Sequence, residues 1–466
     1  MKFGSHEAAA RGLKPPSGDI LTLSGRRERD WDDMIASLSG IRGVYNLDLT
    51  PVEASKFVRN FGRATGSNEF LLARDSRTSG PSISKAASAG LLSLGATVYD
   101  YGIVTTPAIF RESRTRRLPA VMVTASHNEP EFNGLKFIVD GAGIGKDLLD
   151  KVIPGRRATP GGFGSGTLKR GRRPGYVDDL VSRFRAGSAK GIRVAVDFGG
   201  GAAIAHAVPL LTRMGCEVTS LNDSLGVFAR RVDPVADDLV LLRRTVKEKG
   251  CDIGLGFDCD GDRLVIVDSE GRKRTGDYML TLGLAVLLPQ TGEKKVVVSL
   301  DTTQAVDDMA GKLGCQVFRS KVGEANVVGV MREKGARLGG EGSSGGMIDG
   351  AFNYCRDSML AALAIIHGLT AHGRGFYDSV PAYHQVRLAL EIPKAKAQKA
   401  LGRLSGEYKG GDLTDGLRLT LPKKSWVLMR TSGTEDVVRV SAESTSSQKA
   451  EQLARSFAKK LKGLSR

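Results

Sequence analysis

Apolar runs of four to six residues recur along this chain at points where a glycine-marked helix pattern follows. The run 70–75 (Phe-Leu-Leu-Ala-Arg-Asp) predicts a strand, 82–94 a helix, and 95–99 leads into a second strand. Arg193-Val194-Ala195-Val196-Asp197 opens the same pattern, with a helix over 203–214 and a strand after Gly215. Val296-Val297-Val298-Ser299-Leu300-Asp301 opens it a third time, with a helix to 313 and a strand after Gly314. Strand, Asp-containing turn, helix, glycine, strand is a βαβ unit with a right-handed crossover. Three copies predict three similar α/β domains. From about 382 the pattern changes. Strands over 385–390, 416–421, 426–429 and 437–442, with helices over 394–407 and 447–461, predict a small C-terminal α+β domain.

The borders follow from composition. Residues 1–33 are polar, carry Pro15-Pro16 and lack periodicity, so they read as a flexible extension, and Met34 is an alternative start. The first domain then spans 34–160, ending in a Gly/Arg/Pro-rich stretch before a helix over 176–184. The second spans 161–273, the third 274–381 and the fourth 382–466. Thr50-Pro51 with Glu53 marks a helix start, as N-cap, first-turn proline and capping-box acid.

At 466 residues the chain exceeds one ordinary core. Its net charge of +17 raises the question of nucleic acid, but the basic residues are scattered and aromatics are few, whereas base-stacking surfaces need both together. No nucleic-acid partner is therefore expected. A basic surface also steers small anions such as sugar phosphates. The five cysteines contain no Cys-x-x-Cys pair, which reads as a reducing compartment without a zinc site. No run is apolar enough to span a membrane and the N-terminus lacks an apolar signal core, so the cytoplasm is expected.

Four stretches carry chemistry. The buried-strand run 120–123 delivers Thr124-Ala125-Ser126-His127-Asn128-Glu129, with Lys136 shortly after. A hydroxyl beside a histidine on a tight loop is either a polar turn or a reactive site. Gly254-Leu255-Gly256-Phe257 leads into Asp258-Cys259-Asp260-Gly261-Asp262-Arg263. Three carboxylates at alternate positions between strands need a cation, and an all-oxygen set favours Mg²⁺. An EF-hand does not fit, since Arg263 stands where that loop needs glycine. An Asp-x-Asp nucleophile of the haloacid-dehalogenase type competes, although Asp262-Arg263 departs from its usual continuation. A serine or phosphoserine oxygen completing the metal shell would link Ser126 to this loop.

Gly339-Gly340-Glu341-Gly342-Ser343-Ser344-Gly345-Gly346 offers one acid and two hydroxyls, either to a vicinal diol or as a flexible loop. Polar groups at 320–323 and at Arg356-Asp357 lie without assigned role. Arg430-Thr431-Ser432-Gly433-Thr434-Glu435 reads as an anion nest or an ordinary turn. Arg42, between Gly40 and Gly43, serves an anion or a structural salt bridge.

In this order and on this background, the chain from about Ile35 onward resembles the α-D-phosphohexomutase family. Thr-Ala-Ser-His-Asn, Asp-x-Asp-x-Asp-Arg, Gly-Glu-x-Ser-Gly and Arg-x-Ser-Gly-Thr-Glu carry the resemblance, with Ser39-Gly40-Ile41-Arg42-Gly43 and Ala73-Arg74-Asp75-Ser76-Arg77. It implies four domains around a central cleft, the first three alike. It implies that Ser126 is phosphorylated and holds one Mg²⁺ with Asp258, Asp260 and Asp262. A hexose 6-phosphate and hexose 1-phosphate would interconvert through a hexose 1,6-bisphosphate, which is both intermediate and activator. His127, Lys136, Arg42 and Arg263 would neutralise charge or relay protons. Glu341 with Ser343 or Ser344 would grip the sugar, and Arg430, Ser432, Gly433 and Thr434 the phosphate that is not reacting. The protein would be a monomer or homodimer acting on glucosamine, glucose or mannose phosphate. The alternatives are a metal-dependent phosphatase centred on Asp258 and an inactive sugar-phosphate-binding scaffold. Three features depart from the family: Glu129 in place of proline, a sugar loop without the usual histidine after Ser-Gly, and the N-terminal extension.

Overall fold

Thr50 caps the helix Pro51–Thr65, its Oγ1 accepting from the Glu53 amide at 3.4 Å, and Gly66 ends it in the left-handed conformation at φ 64°. The computed structural model describes residues 34–153, 164–431 and 437–465. The expected extension over 1–33 lies outside the described residues.

The three repeats form three sheets of one topology. In the first, strands Glu69–Arg74 and Thr97–Ile103 run parallel on either side of helix Gly80–Leu92 in sequence. After helix Thr106–Arg116, strand Ala120–Val123 adds in parallel on the far side of Glu69–Arg74, and Phe132–Val139 returns antiparallel. Arg193–Asp197, Glu217–Leu221, Ile253–Phe257 and Leu264–Asp268 repeat that order. So do Lys295–Ser299, Gln316–Ser320, Leu338–Glu341 and Gly346–Asp349. The third strand of each sheet is buried along its whole length, because helices cover both faces of a parallel sheet. This is why those segments read as unbroken apolar or glycine runs.

The first sheet is larger than its repeats. Ile35–Ser37 and Gly40–Val44 extend one edge. On the other edge, Thr167–Arg170 pairs in parallel with Thr97–Ile103. The border expected at 160 is therefore too early for this sheet, which takes the chain to about 170. That edge strand has all four side chains exposed and so carries no apolar signal. The helix expected over 203–214 is divided: a 3-10 turn, Ala202–Ala205, precedes the α-helix Ala207–Met214, with His206 between.

Helices Gly276–Thr291 and Ser358–His372 are apolar all round and pack on each other and on strands of the second and third sheets. They belong to the largest core cluster, which runs continuously through the three α/β units. No described helix is long and apolar enough to cross a membrane. The last unit is a four-stranded antiparallel sheet, ordered His384–Glu391, Val437–Ser444, Ser425–Thr431, Leu417–Leu421, with helices Lys394–Glu407 and Ser447–Leu464 packed on it. It docks on the third unit through Trp426 and Leu428 against Leu300.

Candidate active site

The shared topology places three loops equivalently. Each leaves the third strand of its sheet and enters the antiparallel fourth: the Ser126 loop, the Asp258–Asp262 loop and the Glu341–Ser344 loop.

Ser126 is fully buried and sits at φ 53°, a left-handed conformation uncommon for serine. Its amide donates to Thr124 Oγ1 at 2.8 Å, and Thr124 donates to Asp75 Oδ2 at 2.6 Å. Asp75 also pairs with Arg77 at 3.2 Å. The buried Arg77 guanidinium donates to four loop carbonyls: Ser126 and Asn128 through Nη2, at 2.8 and 2.6 Å, and Glu129 and Phe132 through Nη1, at 2.6 and 3.0 Å. One side chain thus satisfies four carbonyls of a loop that makes few ladder bonds. The Glu129 side chain is exposed, so its extra charge points to solvent.

Ser126 Oγ donates to Asp258 Oδ2 at 3.1 Å, joining the first loop to the second. Asp258 Oδ1 accepts from the amides of Asp262 and Arg263, both at 3.1 Å. Asp260 Oδ2 accepts from Thr106 Oγ1 at 2.5 Å and Lys136 Nζ at 2.7 Å. Asp262 Oδ2 accepts from Lys136 Nζ at 2.8 Å and Arg356 Nη2 at 2.9 Å. Ligand oxygens of the three aspartates lie within 4.8 Å of one another. Asp260 Oδ1 and Asp262 Oδ1 are buried and have no hydrogen-bond partner. Buried carboxylate oxygens left unpaired are costly, and a hard divalent cation resolves that cost, so the donor set fits a metal such as Mg²⁺. Burial, then the carboxylates of Asp262 and Asp260, push Asp258 well above the usual carboxylate range. Asp262 goes the other way: burial opposes ionisation, but Arg356, Lys136 and Arg263 together hold it well below.

The expected cations surround this cluster. Lys136 is buried, and Asp260 and Asp262 keep it charged against the effect of burial. Arg42 donates to Asn128 Oδ1 at 2.9 Å, and burial, with Arg263 and Arg356 nearby, pushes it down to about 10 although Asp260 and Asp262 pull the other way. Arg263 lies 3.3 Å from Asp233 and 4.0 Å from Asp258 Oδ2. Its Nη2 lies 3.4 Å from His127 Nε2. Burial, then Arg263, Arg42 and Arg356, hold His127 far below the usual histidine range, and its Nδ1 has no partner. The imidazole is therefore neutral.

In the third loop, Glu341 Oε1 accepts from the Gly323 amide at 2.6 Å and Oε2 lies 3.4 Å from Arg356 Nη1. Burial raises Glu341 above its ordinary range, partly offset by Arg356. Ser344 is buried, donating to Glu341 O at 3.3 Å and accepting from Arg356 Nη1 at the same distance, whereas Ser343 is half-buried. Arg430 is half-buried near the end of strand Ser425–Thr431, opposite Arg439 in register. Ser432, Gly433 and Thr434 lie outside the described residues. The structure adds residues that the sequence left without a role: Arg77, Thr106 and Arg356. Asp75-Ser76-Arg77 and Arg356-Asp357 were visible as short charged stretches, but the arginines' other partners lie far along the chain.

Sequence models of phosphoglucomutase/phosphomannomutase match in chain order: alpha/beta/alpha domain I over residues 34–155, domain II over 174–271, domain III over 275–385 and the C-terminal domain over 387–460. A probable phosphoglucosamine mutase of Methanopyrus kandleri is 32% identical over 435 residues, covering 90% of this chain and 96% of that protein. A phosphoglucomutase/phosphomannomutase of Thermococcus kodakarensis is 32% identical, covering 88% and 94%. Among solved structures, a phosphoglucomutase/phosphomannomutase family protein of Burkholderia thailandensis superposes with a TM-score of 0.80 at 27% identity, covering 92% of this chain and 98% of that one. With all four domains matched in order and near-complete mutual coverage, the chain belongs to the α-D-phosphohexomutase family and is an isomerase of that family.

Proposed function

We propose that the protein interconverts a hexose 6-phosphate and the corresponding hexose 1-phosphate through a phosphorylated Ser126. The observation that carries this reading is the Ser126 hydroxyl, 3.1 Å from Asp258 and beside two buried carboxylate oxygens without partners. Glucosamine phosphate is the first sugar to test, because the relative from Methanopyrus kandleri is named a probable phosphoglucosamine mutase. Glucose and mannose phosphates come next. Five free cysteines fit a reducing cytoplasm. In the domain division that goes with this reading, the first unit runs on to about 170, with later borders near 273 and 381.

The substrate's free hydroxyl attacks the phosphorus carried on Ser126 Oγ. The P–Oγ bond breaks, a P–O bond to the sugar forms, and the hydroxyl proton ends on the departing Ser126 Oγ. The product is a hexose 1,6-bisphosphate. After it turns end for end, Ser126 Oγ takes the other phosphoryl group and the proton returns to the sugar oxygen. Lys136, Arg42 and Arg263 offset the charge of the transferring group, which is the main demand of phosphoryl transfer. Mg²⁺, held by Asp258, Asp260, Asp262 and an oxygen of the phosphorylated Ser126, would neutralise phosphoryl charge when bound. Glu341 and Ser343 hold the sugar hydroxyls, since Ser344 is already engaged by the Glu341 carbonyl and Arg356. Arg430, Ser432, Gly433 and Thr434 hold the phosphate that is not reacting.

A coupled mutase assay with Mg²⁺ and catalytic hexose 1,6-bisphosphate tests this, with glucosamine, glucose and mannose phosphates side by side. Turnover that disappears in Ser126→Ala supports the reading and ranks the sugars. Persisting phosphate release in that variant, without isomerisation, would replace the reading with an aspartate-centred phosphatase.

A further inference from the structure

The Arg356 side chain touches both the metal loop and the sugar loop. It is buried. Nη2 donates to Asp262 Oδ2 at 2.9 Å, Nη1 lies 3.4 Å from Glu341 Oε2 and 3.3 Å from Ser344 Oγ, and Nε lies 3.2 Å from Glu324 Oε2. The Arg356 amide also donates to Glu324 Oε2 at 2.8 Å, so one carboxylate holds the backbone and lies beside the guanidinium. The aliphatic stem lies against Gly346. A Cβ added there would come within 2.2 Å of Arg356 Cδ and 2.5 Å of Cγ, and Gly346 is on an ordinary strand with no conformational need for glycine. Gly346 is thus small because Arg356 fills the space a side chain would occupy. This also accounts for the missing side chain in a sugar loop that ends Ser344-Gly345-Gly346.

We propose that Arg356 is a positioning residue that sets the metal carboxylate and the sugar loop in one register. This rests on the mutase reading above. By occupying Asp262 Oδ2 together with Lys136, it turns the unpartnered Oδ1 toward the cation position. By holding Glu341 Oε2 and Ser344 Oγ with the same guanidinium, it fixes the loop that presents Ser343. A lysine cannot replace it, because a single ammonium cannot fork between the two loops.

Three variants test this: Arg356→Ala, Gly346→Ala and the double variant. Calorimetric Mg²⁺ titration of the dephosphorylated protein gives a readout independent of turnover, and KM and kcat for the hexose phosphate give the second. Outer partners of metal ligands are worth about 10–100-fold in metal affinity. Arg356→Ala is expected to weaken Mg²⁺ binding by at least tenfold and to raise KM. Gly346→Ala keeps the charge but displaces the stem, and is expected to produce the same two changes. The double variant is expected to be no worse than Arg356→Ala alone, the non-additivity expected of residues that share one space. If Arg356→Ala fails to fold, Gly346→Ala still decides. Unchanged Mg²⁺ affinity and KM in Gly346→Ala, or full additivity in the double variant, would overturn the proposal. A wild-type protein that binds Mg²⁺ but isomerises no hexose phosphate would instead overturn the mutase reading, leaving the Mg²⁺ arm of the Arg356 test intact.

Discussion

Ser126 and Asp258 are separated by 132 residues and belong to different sheets, yet the serine hydroxyl donates directly to the aspartate at 3.1 Å. The hydroxyl that would receive a phosphoryl group is thereby aimed at the carboxylate cluster. Ser126→Ala should abolish isomerisation. Alanine and serine bear the left-handed backbone at φ 53° equally, so the thermal midpoint should move by only a few degrees. A mutase assay and a melting curve on the same preparation check both halves.

The unpartnered oxygens of Asp260 and Asp262 predict that a divalent cation stabilises the fold. At a hundredfold excess over its dissociation constant, Mg²⁺ should add about 2.7 kcal/mol by mass action. Thermal melts with and without Mg²⁺ measure this, and Asp262→Asn should remove most of the increment.

Arg77→Met should cost about 3–5 kcal/mol in a urea titration, because it leaves Asp75 as an uncompensated buried charge. Arg77→Lys should recover less than half of that. One ammonium cannot serve four carbonyls that converge on a planar fork.

His206 and Asp357 both neighbour Tyr176. His206 lies 5.8 Å from the ring, and Asp357 accepts from the phenol at 2.5 Å. Burial, with Arg173 nearby, pushes His206 down to about 4, so between about pH 6.5 and 4 the unfolded chain holds the extra proton and stability falls as pH drops. Burial pushes Asp357 up to about 6, so between about 6 and 3.8 the folded protein holds the extra proton and stability rises as pH drops. The two contributions offset. Relative to wild type, His206→Leu should gain roughly 3 kcal/mol on going from pH 7 to 4, read by denaturant titration at each pH.

Legibility in the sequence followed burial. The helices Tyr176–Phe184 and Lys394–Glu407 agree with their apolar periodicity, and the repeats are visible because the first and third strands of each sheet are apolar or glycine-rich. Thr167–Arg170 was not legible, since an edge strand with every side chain in water has no pattern to show. The helices Gly276–Thr291 and Ser358–His372 are buried on all sides and lack the polar face that marks a helix. The Ser126 and Asp258 loops stand out locally as motifs. Arg77 stands in a short motif and Arg356 in a charged pair, yet neither shows its role, because an arginine's partners are chosen by the fold: Arg356 reaches back 94 residues to Asp262, and Arg77 forward to Asn128.

The three reactive loops leave equivalent strands of three sheets, and their bonds to one another also join those sheets. Lys136 to Asp260 and Asp262, Thr106 to Asp260 and Arg356 to Asp262 each cross from one unit to another. The centre therefore has no scaffold of its own that could survive if the units drifted. Small shifts at these seams would dissolve it while every helix and strand stayed intact, so circular dichroism would report a native protein after the chemistry had already gone. Heat inactivation should run ahead of unfolding, and seam substitutions far from any substrate should behave like active-site lesions.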